Sequence, residues 1–137
     1  MKVMVCTDGS EFADKALRFS AELAKNYKAD LTVLYVVKHE VRADRIPEDE
    51  YGNVSRKVKE ILRKAKETLS EKAADTKVTD RFVVGPVRRE IVRIAEEEQF
   101  DMIVMGTRGL TGLRRMLLGS VADAVAHYAH CPVTIVR

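Results

Sequence analysis

The sequence predicts an α/β fold, a five-stranded parallel sheet with helices on both faces. Three observations carry this. Apolar runs of strand length alternate with segments of helical periodicity, in the order β-α-β-α-β-α-β-α-β. Most of the runs are continuously apolar rather than alternating, which is the habit of strands covered on both faces and so of parallel sheets. The length, 137 residues, suits one domain with one core, so residues 1–137 are read as a single domain with right-handed crossovers.

Each element has its own signal. Val3–Cys6 is the first strand. Phe12, Ala16, Phe19, Leu23 and Tyr27 recur at helical spacing, and Ser10 is placed to cap that helix. Leu31–Val37 is the second strand. Lys38–Asn53 is polar, contains Pro47 and reads as a long loop. Val54, Val58, Ile61, Leu62, Ala65 and Leu69 mark the second helix. Phe82–Val84 is a weaker run, because Asp80 and Arg81 precede it, and it is placed at a sheet edge. Val87, Ile91 and Ile94 mark the third helix, with Pro86 of Gly85-Pro86 in its first turn. Met102–Met105 is the fourth strand, and Thr107–Leu118 a second long loop. Val121, Val125 and Tyr128 mark the fourth helix, where Ser120 and Asp123 have capping-box spacing. Val133–Val136 closes the series.

Composition narrows the class. With 46% hydrophobic and 33% charged residues the chain is neither disordered nor membrane-embedded. No apolar run approaches the roughly 20 residues of a bilayer span, and Met1–Val5 leads straight into a strand rather than a signal peptide. The expectation is a soluble, cytoplasmic protein. A net charge of +3, from 24 basic and 21 acidic residues, is too balanced to imply a nucleic-acid partner. Cys6 and Cys131 make no disulfide framework. Placed at opposite ends of a parallel sheet they cannot bridge, and both are expected to be buried thiols.

In open α/β sheets ligands bind outside the carboxyl ends of the strands, near the switch in strand order. Two segments fall there: Cys6-Thr7-Asp8-Gly9-Ser10, and the loop opening with Gly106, Thr107, Arg108, Gly109 and Gly112. Glycines allow positive φ and close approach of backbone to ligand, and successive N–H groups can form an anion-binding nest. The fourth helix starts near Gly119-Ser120, and its free N–H groups and positive dipole end favour a phosphate. Arg108 adds charge, with Arg114 and Arg115 nearby. The P-loop GxxxxGK(S/T) and the dinucleotide fingerprint GxGxxG are both absent. His39, His127 and His130 show no metal-ligand spacing.

What remains is Gly106-x2-Gly109-x9-Gly119-Ser120, and with it the chain resembles the universal stress protein family. The resemblance includes the opening strand ending in Thr7-Asp8-Gly9-Ser10, the strand from Asp101 to Gly106, and Cys131-Pro132-Val133 before the last strand. It implies strand order 3-2-1-4-5 in a Rossmann-like, adenine-nucleotide alpha hydrolase-like arrangement. The ATP-binding branch of the family further implies a set of contacts. Cys6, Thr7 and Asp8 look like the turn that touches ribose and phosphates, with Asp8 also near a magnesium or manganese ion. Val36 resembles the backbone contact for adenine, and Met105 and Gly106 flank the ribose. Thr107, Arg108, Gly109 and Gly112, together with Gly119, Ser120, Val121 and Ala122, resemble the phosphate cradle. Position 122 is alanine where many ATP-binding relatives carry a hydroxyl, so a backbone contact there survives and a side-chain donor does not. Family members commonly form homodimers through the last strand, which here would be an exposed apolar edge.

These readings favour a binding module for ATP or AMP. No Gln, Glu or His in the two loops is obviously placed to position a water, so hydrolysis of ATP stands as the alternative. A dimeric interaction protein without nucleotide is the third reading, and the intact glycine pattern speaks against it.

Overall fold

A computed structural model of the chain describes residues 1–39, 48–109 and 118–137. The elements are β1 (Lys2–Cys6), α1 (Glu11–Tyr27), β2 (Asp30–Lys38), α2 (Glu48–Lys72), β3 (Val78–Gly85), α3 (Val87–Glu97), β4 (Met102–Gly106), α4 (Ser120–Tyr128) and β5 (Val133–Val136). The five strands form one parallel sheet in the order β3-β2-β1-β4-β5, as expected. The chain builds outward from β1 to β3 on one side and returns to place β4 and β5 on the other. The switch in strand order therefore lies between β1 and β4.

Alternation along the strands sorts their side chains onto two faces. Val3, Val5, Leu31, Val33 and Val104 pack with Leu17 of α1 and with Leu62 and Leu69 of α2. Met4, Cys6, Leu34, Ile103 and Met105 pack with Ile91 and Ile94 of α3 and Val125 of α4. Both faces are buried, which is why the strands read as continuous apolar runs.

Several expectations are corrected. The buried face of α1 is Ala13, Ala16, Leu17, Ser20, Ala21 and Ala24, rotated from the expected stripe. Phe19 and Tyr27 are instead 38% and 68% exposed. Alanines bring the helix axis close to the sheet, and the larger residues flank the contact. Tyr128 of α4 likewise faces outward. Helix α2 begins at Glu48, so residues 48–53 of the expected loop are helical.

Strand β3 does lie at an edge, but it starts at Val78 and includes Asp80 and Arg81. Asp80 pairs with Lys66 of α2 at 2.8 Å, and Arg81 pairs with Glu98 beyond α3. Opposite faces of one edge strand thus hold their charges against different helices. Ser10 caps α1 as expected, its Oγ accepting from Ala13 N at 3.2 Å. The capping box at Ser120 is not formed, because Gly119 is the N-cap and Ser120 is already helical. Pro86 is the N-cap of α3, one position before its first turn. Cys6 is buried and Cys131 only half-buried, and both are free thiols. Among the described residues no helix is long and apolar enough to cross a membrane.

Candidate functional site

A cavity of about 700 Å³ opens at the carboxyl ends of the strands, around the switch between β1 and β4. This is a usual volume for a small-molecule site, roughly 300–1,000 Å³. The turn after β1 contributes Cys6, Thr7 and Asp8. The end of β2 contributes Val36. The segment from β4 into the next loop contributes Met105, Gly106, Thr107, Arg108 and Gly109, and the start of α4 contributes Gly119, Ser120, Val121 and Ala122. Every contact the family resemblance implies lines this one cavity except Gly112. Gly112 lies outside the described residues, as do Arg114, Arg115 and Met116.

The two βα turns present opposite chemistry. In the turn after β1, Gly9 N donates to Thr7 Oγ1 at 3.2 Å and Ser10 N donates to Asp8 Oδ1 at 3.0 Å. Gly9 adopts φ +78°, a conformation that costs glycine little. With Ser10 capping α1, this turn satisfies its own N–H groups and offers the cavity a carboxylate. At α4 the N-cap is Gly119, which brings no capping side chain to the first-turn N–H groups. Gly119 N donates to Thr107 O at 2.7 Å, stitching the two ends of the β4–α4 connection together beside that helix end.

Three glycines there make room rather than unusual dihedrals. Gly9 is the only glycine with positive φ among the described residues, so Gly106 and Gly109 do not supply one. A Cβ on Gly106 would sit 2.7 Å from the backbone carbon of Phe12, and one on Gly119 2.9 Å from Thr107 O. A Cβ on Gly109 would collide with Asp8 Oδ2. The last contact is the informative one, since it brings the carboxylate of the first turn against the backbone of the second.

Charge in the cavity is mixed. Arg108 lies with its guanidinium carbon 5.6 Å from the Phe12 ring centroid. Among the described residues its buried Nε finds no hydrogen-bond partner. Burial, and then the charge of Asp8, push the Tyr35 phenol above its ordinary value. Burial pushes the Cys6 thiol up to about 12, so it is neutral and unreactive near pH 7. Asp8 is the one carboxylate among the described lining residues, which include no His, Glu or Gln. Among the described residues no group of three or more His, Cys, Asp or Glu could hold a metal ion by itself.

Sequence reasoning missed one side of the cavity. Lys38 at the end of β2, and Pro86, Val87, Arg88 and Ile91 at the start of α3, also line it. The signal available was positional. Lys38 pairs in register with Gly85, so the Gly85-Pro86 break marks a carboxyl strand end beside β2. Val36, Val87, Ile91 and Met105 give the cavity apolar walls, and the glycines and α4 give it donors.

The universal stress protein family model matches residues 1–137. Universal stress protein MJ0531 of Methanocaldococcus jannaschii is 36% identical over 138 residues, spanning 99% of this chain and 81% of its own length. Among solved structures, the universal stress protein UspA of Lactobacillus plantarum matches with a TM-score of 0.88 at 24% identity, covering 100% of this chain and 97% of that one. That likeness concerns the fold. A universal stress protein in complex with cAMP matches with a TM-score of 0.81 at 29% identity, covering 100% and 97% of the two chains.

Proposed function

The chain belongs to the universal stress protein family, and from that membership we propose that it is a nucleotide-binding module for ATP or AMP. The observation that carries the proposal is the meeting, in one cavity, of the α4 N-terminus, whose N-cap Gly119 brings no capping side chain, and the Arg108 cation. Both favour a phosphate, the helix end through its N–H groups and dipole and the arginine through its charge. The cAMP bound by a relative of 29% identity supports the same ligand class.

In this reading the base lies against Val36, Val87 and Ile91, and the ribose lies beside Met105 and Gly106. The phosphates lie over Thr107 to Gly109 and the first turn of α4, with Gly112 as a further contact. Ala122 offers only its backbone. Asp8 faces the phosphates as an anion, which repels them unless a cation intervenes. The donor set fits magnesium or manganese together with a nucleotide, since Mg²⁺ takes one or two carboxylates plus substrate phosphate oxygens. The ion would supply charge neutralisation between Asp8 and the phosphate chain.

Residues 1–137 act as one domain, cytoplasmic, and pair as a homodimer along β5. All four residues of β5 are half-buried in the single chain, and its outer edge is unpaired in the sheet order.

Calorimetric titration with ATP, AMP and cAMP, each with and without magnesium, tests the proposal. At least one nucleotide should bind. At about 100-fold its Kd it should stabilise the fold by about 2.7 kcal/mol in a melting experiment. Magnesium should strengthen ATP binding, and Asp8→Ala should remove that gain. If none of the three binds and no nucleotide is released on denaturing the purified protein, the proposal fails.

A further inference from the structure

The first turn of α1 passes directly beneath the glycine loop. Gly106 lies so close to Phe12 that an added Cβ would be 2.7 Å from its backbone carbon and 2.8 Å from its own Cβ. From that anchored position the Phe12 ring reaches Arg108, whose guanidinium carbon is 5.6 Å from the ring centroid. Lys15 Nζ lies 5.4 Å from the same centroid and is also tied to Glu11 at 3.6 Å. Among the described residues Arg108 pairs with no carboxylate, and its Nε is buried without an acceptor. The ring is thus a group that helps fix the direction of the Arg108 head.

We infer that Phe12 is a positioning residue for ligand binding: its ring holds the Arg108 guanidinium at the cavity wall, where its charge faces an anionic group of the ligand. The inference rests on the nucleotide reading above and adds to it a residue outside the glycine motif. The physical case is the entropy of the arginine. A free arginine side chain loses about 2 kcal/mol of rotamer freedom when it is fixed. A guanidinium held against an aromatic ring has lost part of that freedom before the ligand arrives. The quadrupole of the ring favours the cation over its face and leaves the N–H edge of the guanidinium for the phosphate. Phe12 is well suited to this because its backbone cannot move without displacing Gly106.

The test separates stacking from packing. Phe12→Leu keeps the Cβ against Gly106 and most of the apolar volume, but removes the π face. It should weaken ATP binding about three- to tenfold, the range a cation–π contact supplies. Phe12→Tyr keeps the π face and should restore most of the affinity. In an Arg108→Gln background, Phe12→Leu should cost nothing further, so the two changes are coupled in a double-mutant cycle. Without nucleotide, the Arg108 Nε–H resonance should move on Phe12→Leu, reporting loss of the ring-current field.

Wild-type affinity retained in Phe12→Leu overturns the inference. So does an equal loss from Phe12→Leu with and without Arg108, which would mean that the ring acts by packing alone. Failure of the wild type to bind any nucleotide is a different result. It removes the nucleotide reading, and this inference with it, before any variant is compared.

Discussion

The two faces of the sheet are built from the same strands and serve different ends. Toward α1 and α2 the face is filled by Val3, Val5, Leu31, Val33 and Val104 against Leu17, Leu62 and Leu69. Toward α3 and α4, alternate residues of those strands also form a core, but Cys6, Leu34 and Met105 belong at once to that core and to the cavity wall. Helix length helps to explain the difference. Helices α1 and α2 have 17 and 25 residues, α3 and α4 only 11 and 9. At about 1.5 Å per residue, α3 and α4 span roughly 16 and 13 Å, against about 25 Å for α1. Among the described residues the short pair leaves strand ends lining the cavity, and those ends are where the chain reverses its direction of building. Stability can be concentrated on one face while the other gives up packing for a binding site.

The largest effect that would break this comparison comes from the filled face. Leu69 of α2 is fully buried, and Leu69→Ala should cost about 2–5 kcal/mol through lost burial and a residual cavity. Urea unfolding measures that loss, and calorimetry under native conditions measures nucleotide affinity in the same variant. The affinity should be unchanged. A parallel fall in both would show that the faces are not separable.

The converse change belongs to the other face. Gly109→Val places a side chain where Asp8 Oδ2 lies, and the tip of an aspartate can swing aside. Stability should change by less than about 1 kcal/mol. Nucleotide affinity should drop at least about tenfold, or ~1.4 kcal/mol, because the added side chain fills the cradle. A similar change at Gly106 would be a poor control. Its neighbour is the backbone of Phe12, which cannot move aside as a side chain does, so fold and site would fail together.

The filled face and the frame of the sheet were legible in the sequence because burial on both sides leaves continuous apolar runs. Strand β3 was read short because Asp80 and Arg81 look like solvent residues. Their partners, Lys66 and Glu98, are far away in sequence and meet them only in the fold. The α1 stripe was misread because periodicity weighs Phe19 and Tyr27 above alanines, whereas the sheet accepts the small residues. The glycine half of the cavity was legible because close backbone approach demands glycine in a recognisable spacing. The half made by Lys38, Val87, Arg88 and Ile91 carries no motif. It belongs to the site only because β2 and β3 end beside β1, and topology of that kind is not written in any local run.

The smallest expected effect sharpens the comparison at the residue where core and site meet. Cys6 ends β1, lies in the α3/α4 core and lines the cavity. Burial moves its thiol from an ordinary 9.0 up to about 12, so the native state holds the proton that the unfolded chain releases first. The folded value is raised, and its contribution to stability is therefore complete below about pH 9 and is lost as pH rises toward 12. Between pH 8 and 9.5 the unfolded thiolate alone should lower stability by about 0.8 kcal/mol. Cys6→Ala has no thiol to titrate, so the stability difference between wild type and variant should shrink by that amount over the interval. Comparing the two proteins cancels the lysines and tyrosines that titrate in both. A constant difference from pH 8 to 9.5 would mean that water reaches Cys6 through the cavity, and that this face is wetter at its core than the opposite one.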